Sequence, residues 1–92
     1  MDDQKLHEIL EQLQVEIKQA KNVDAKGRDL LREIDLDVHE LLKRTENDTS
    51  RVQVHPNMIQ RFENTIDHLE ATHPSIANYL TELLEILSKA GI

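Results

Sequence analysis

Ninety-two residues make one small domain, and the absence of cysteine removes disulfides, thiolate metal sites and cysteine nucleophiles. Eighteen Asp and Glu against eleven Lys and Arg give a formal charge of −7, which opposes nucleic acid and anionic membrane surfaces. With aromatics at 2% and only two Gly and two Pro, the core has to come from Leu, Ile and Val on long helices.

The first predicted helix spans about residues 3–20, because Leu6, Ile9, Leu10, Leu13, Ile17 and Ala20 recur at steps of three and four. Those positions form one stripe, and Val15 lies opposite it as an ordinary exposed apolar residue. The segment Lys21-Asn22-Val23-Asp24 breaks the period, and Asp24 has the carboxylate that an N-cap requires. A second helix follows over about 25–44, with Leu30, Leu31, Ile34, Val38, Leu41 and Leu42 on one face and Lys43 and Arg44 suiting its C-terminal dipole. Gly27 in its first turn costs helix propensity. Leu36 projects from the opposite face, among Asp29, Glu33 and Glu40, as a lone surface residue or a contact point for another chain. So short a link predicts an antiparallel helical hairpin.

Residues 45–55 are a polar linker without helical period, in which Val52 and Val54 suggest a short extended stretch. Pro56 suits the first position of a third helix, over about 56–71, with His55 as its N-cap and Met58, Ile59, Phe62, Ile66 and Leu69 on one face. At Pro74 the helix must break or kink, since proline removes a donor and clashes with the preceding turn. Met58 and Ile76 lie five turns apart and in phase, which suits a kink. His73-Pro74-Ser75 reads better as the start of a fourth helix over about 74–89, with His73 as its N-cap or a buried hydrogen-bonder. Ile76, Ala77, Tyr79, Leu80, Leu83, Leu84, Ile86 and Leu87 give this helix the widest apolar face in the chain, and Gly91 supplies its stop.

The starting Met1-Asp-Asp is acidic and no apolar run is long enough to cross a bilayer, so the expectation is a cytoplasmic protein without membrane contact. Between Arg61 and Lys89 stand Glu63, Asp67, Glu70, Glu82 and Glu85 with no Lys or Arg. A solvated acidic face accounts for this run, and a nucleic-acid partner is not expected.

Val23-Asp24, Arg28-Asp29-Leu30-Leu31, Leu41-Leu42, Phe62-Glu63, His73-Pro74, Ile76-Ala77, Leu80 and the terminal Gly91-Ile92 together resemble a family of small bacterial proteins called domain of unknown function 4404. The resemblance covers nearly the whole chain and departs from the family pattern in a longer polar linker around Glu46 to Ser50. It implies a helical fold and lends no catalytic residue to any position.

The residues themselves offer little chemistry. His7-Glu8-Ile9-Leu10-Glu11 opens like a zinc-protease helix but lacks the second His four residues on. His39 has Asp35 one turn before it, two ligands where zinc needs more. His68 and His73 are five residues apart and point in different directions on a regular helix. His39 with Lys43 echoes phosphotransfer bundles, in which an exposed His has a nearby Lys, though those domains carry a tighter His-x-Leu-Lys-Gly spacing. A solvated or capping histidine accounts for each, and no metal or cofactor is expected.

The expected fold is all-α: a small up-and-down bundle of three to four helices, a helical hairpin followed by a Pro-bent pair. The expected function is non-catalytic protein interaction or self-association, first as a homodimer, with an unidentified protein partner also open. The contact surface is placed at Tyr79, Leu83 and Ile86, where the apolar face of the last helix exceeds what a surface helix needs, together with Leu36. The alternative is a phosphotransfer or metal-binding domain using His39.

Overall fold

The computed structural model describes residues 3–47 and 56–89. Four helices occupy them: α1 (Asp3–Gln19), α2 (Ala25–Asn47), α3 (Pro56–Leu69) and α4 (Pro74–Lys89). No strand occurs among the described residues, and the fold is a small all-α bundle. The expected extended stretch at Val52 and Val54, the His55 cap and the Gly91 stop lie outside them.

α1 packs on α2 and α4, and α3 packs on α2 and α4, while the diagonal pairs stay apart among the described residues. The four helices therefore form a closed square in which consecutive helices are neighbours. The long axis of 37 Å is set by α2, whose 23 residues span roughly 35 Å at 1.5 Å each. This helix continues past the expected end near 44, drawing 45–47 out of the linker.

Each helix turns its periodic stripe inward. Leu6, Leu10 and Leu13 of α1, Ile34, Val38 and Leu41 of α2, Phe62 and Leu69 of α3, and Leu80, Leu83 and Leu87 of α4 are buried in one cluster. Thr65 is buried with them, and its hydroxyl donates to the Arg61 carbonyl at 2.8 Å, so its own polar group is satisfied. At Pro74 the chain breaks rather than kinks. α3 ends at Leu69, the His73 amide closes onto the Leu69 carbonyl at 2.7 Å, and Pro74 opens α4 after the four intervening residues 70–73.

Leu83 is fully buried inside a single chain, which corrects its placement on a contact surface. Tyr79 and Ile86 are half-buried against the same core. The wide apolar face of α4 is needed within one chain. In a closed square α4 lies against both α1 and α3, and a helix with two neighbours has to be apolar on two adjoining sides.

Candidate functional site

The α1–α2 turn and the α3–α4 corner meet at one end of the bundle and are fastened by two histidines. Asp24 caps α2: its Oδ1 accepts from the Gly27 amide at 2.7 Å, and its carbonyl receives the Arg28 amide at 2.9 Å. The same carboxylate lies 2.9 and 3.1 Å from Nε2 of His68, on the last turn of α3. The His68 bond first, and the Gly27 amide second, hold the Asp24 carboxyl below its usual value. His73 is the backbone N-cap of α4, since its carbonyl accepts the Ala77 amide at 3.3 Å. Its ring reaches back 2.7 Å from Nε2 to the Lys21 carbonyl, and the Thr72 hydroxyl lies 2.9 Å from Nδ1. A carbonyl only accepts, so Nε2 carries the proton and Nδ1 receives the Thr72 hydroxyl.

Two backbone features make this corner possible. Asn22 adopts a φ of 60°, the left-handed turn conformation that Asn tolerates better than most residues. Gly27 is buried, and a Cβ there would stand 2.5 Å from Cγ1 of Val23, 2.7 Å from the capping Oδ1 of Asp24 and 3.5 Å from Cδ2 of Leu69. Its absent side chain leaves room for Val23 and for the Asp24 carboxylate that caps α2, a role that helix propensity does not reveal.

The two middle helices share an ion pair that sequence reasoning missed. Arg61 of α3 donates from Nε to Oδ2 of Asp37 and from its terminal nitrogen to Oδ1, both at 2.8 Å. The fork-to-fork geometry raises the Arg61 pKa further, chiefly through the Asp37 bond. Nothing in the sequence links two residues 24 positions apart on different helices.

The remaining candidates separate. His39 is exposed on the outside of α2, and Lys43 is exposed one turn later. Asp35 is half-buried and lines a cleft of about 520 Å³ beside Ile17, Val23, Leu31 and Arg32, with its Oδ1 unpartnered there. His7 pairs along α1 with Glu11 at 3.5 Å. Among the described residues no group of three His, Asp or Glu side chains is placed to hold a metal, and no helix is long and apolar enough to cross a membrane. Leu36 is exposed to 66% and Val15 to 43%, on different helices.

A groove of about 650 Å³ runs along the α3–α4 seam. Half-buried Ile66 and Leu84 form its floor, while Glu63, Asp67 and Glu85 stand exposed around it with Gln60, Thr81 and Ser88. Lys89 sits among its lining residues as the single cation. Neither helix carries another unpaired base beside it, because Arg61 is drawn away to Asp37.

No curated protein and no solved structure matches the chain. A family model described as "Domain of unknown function (DUF4404)" matches residues 6–92, which takes in all of α2, α3 and α4 and most of α1. The chain belongs to that family.

Proposed function

We propose that the protein is a non-catalytic helical interaction module that engages another polypeptide through the α3–α4 face. The single observation behind this reading is the groove whose apolar floor, Ile66 and Leu84, remains half-exposed between acidic side chains. A floor of this kind gains from being covered by another apolar surface, and a carboxylate rim directs what covers it. The histidines at the bundle corner are engaged in holding backbone and capping groups together, which suits a scaffold better than a reaction centre.

Self-association belongs to the same reading, with exposed Leu36 on α2 as one contact and half-buried Tyr79 and Ile86 on α4, diagonally across the bundle, as another. The test is a photo-crosslinking amino acid placed at Thr81 or Ser88 on the groove, and at Glu8 of α1 as a control, in cells that make the protein. A discrete adduct from the groove positions alone supports the module. No adduct from any position, with light scattering that reports a monomer at all concentrations, refutes it.

The second reading, phosphotransfer through His39, draws on the exposure of that ring with Lys43 one turn away on a four-helix bundle. It requires an acid-labile phosphoryl group that disappears in His39→Ala. A cytoplasmic location is part of the same proposal.

A further inference from the structure

We infer that the α3–α4 groove receives a basic amphipathic helix, about two turns of which lie along the seam with apolar side chains on Ile66 and Leu84 and Lys or Arg facing Glu63, Asp67 and Glu85. This rests on the interaction-module reading and names its partner class.

The dimensions come from the lining. On α3 the groove runs from Gln60 to Asp67, and on α4 from Thr81 to Lys89. Such spans rise roughly 10–12 Å, or about two turns. A helix laid in a groove of that length sets one or two apolar side chains of its i, i+3, i+4, i+7 face on the floor, which is one residue from each helix, Ile66 and Leu84, and turns its flanks to the polar rim.

Charge then selects the partner. Three carboxylates line the groove against the one ammonium of Lys89. The acidity continues along both helices, through Glu70 just after α3 and Glu82 on α4, because residues 62–88 contain no Lys or Arg. An acidic or neutral helix would leave these carboxylates partly desolvated without a counter-charge. A second copy paired symmetrically through the same face would set the acidic rim of one copy against the acidic rim of the other, since an isologous contact presents the same patch from both sides. The like-charge cost that excludes this dimer also excludes nucleic acid and anionic lipid. A cationic helix satisfies rim and floor together.

The probe is an eighteen-residue helical peptide of Leu and Lys with its leucines on one face, set against a peptide with every Lys replaced by Glu. Amide shifts of the isotopically labelled full chain are followed during titration with each. The expected result is that the Lys peptide moves amides of α3 and α4 around Ile66 and Leu84 and the Glu peptide moves none. Affinity should fall about tenfold or more in the double variant Glu63→Lys, Asp67→Lys, and by a similar factor between low and high salt. Those two positions are exposed, so the variant keeps its helicity, and reversing Glu8 and Glu40 on the other face leaves affinity within about twofold. In addition, Leu84→Gln has to weaken binding at unchanged charge.

Three results overturn the inference, and they differ in what they leave standing. Shifts scattered over the whole surface and indifferent to Leu84→Gln mean that charge alone attracts the peptide. Groove shifts that appear on concentrating the protein by itself mean that a second copy is the occupant, and the interaction module survives with a different partner. No shift with either peptide, together with no groove adduct in cells, removes the partner class and the module together.

Discussion

Leu83 and Leu36 allow one substitution to be compared at two sites that the sequence had grouped together. Leu83 is 0% exposed and Leu36 is 66% exposed. Replacing Leu83 by alanine removes three buried carbons, about 2.4 kcal/mol at roughly 0.8 kcal/mol for each. The void left between α4 and its neighbours adds a cavity penalty, which brings the expected loss to about 3–4 kcal/mol. For a domain of this length that loss lowers the melting temperature by roughly 12–30 °C. Leu36→Ala removes the same atoms from solvent-exposed surface, and the change should stay within about 0.5 kcal/mol. Thermal unfolding followed by far-ultraviolet circular dichroism, with light scattering on the same samples, separates the cases. If Leu83→Ala melts within two or three degrees of the parent while the mass falls, Leu83 lies at a subunit contact and the closed square is the wrong arrangement.

Four further outcomes follow from the corner and the ion pair. Gly27→Ala should lower stability by about 1 kcal/mol or more, although alanine favours an ordinary helix interior by about that amount, because Val23 and the Asp24 cap must both move; equilibrium unfolding in urea reads the sign. Asn22→Ala should cost about 1 kcal/mol and Asn22→Gly next to nothing, as a φ of 60° requires, in the same urea assay. A double-mutant cycle on Asp37 and Arg61 should give a coupling of about 1–2 kcal/mol, near the top for a pair that water still reaches, since the Asp37 side chain is 13% exposed. Asp24 binds its proton less readily folded than unfolded, so its contribution is complete above the ordinary value of 3.8 and is lost as the pH falls through the lowered one. Melting curves of the parent and Asp24→Ala should therefore draw together as the pH falls below 3.8.

The helices were legible because their apolar residues keep a strict period, and the break at Pro74 was legible because proline and the residue before it exclude the helical continuation. Their ends were less so. The last turn of α2 runs into Asn47 through polar residues with no apolar period to mark it, while α3 stops at Leu69 because the chain needs residues 70–73 to reverse. His73 illustrates a second limit. Its place before Pro74 foretold a cap, but the Lys21 carbonyl that its ring meets belongs to a turn 52 residues away, and no local pattern specifies that meeting. The Asp37–Arg61 pair falls under the same limit, because its role exists only once α2 and α3 lie side by side, whereas the crowding at Gly27 comes from Val23 and Asp24 in its own turn.

The groove was present in the sequence as two separate facts. Ile66 and Leu84 stood among the apolar positions of their helices, and the run of carboxylates between Arg61 and Lys89 stood as a solvated surface. Helical period places Ile66 and Leu84 at the margins of their stripes, since Phe62 and Leu69 on one helix and Leu80, Leu83 and Leu87 on the other fill the centre. A margin residue is core or surface according to whether the neighbouring helix closes over it. Here α3 and α4 approach closely enough to share a seam and leave those two side chains half covered, with acidic residues one position away on both sides. Only the packing of the two helices brings the apolar margin and the acidic run onto one line, and that line gives the otherwise bland surface a preference for a cationic partner.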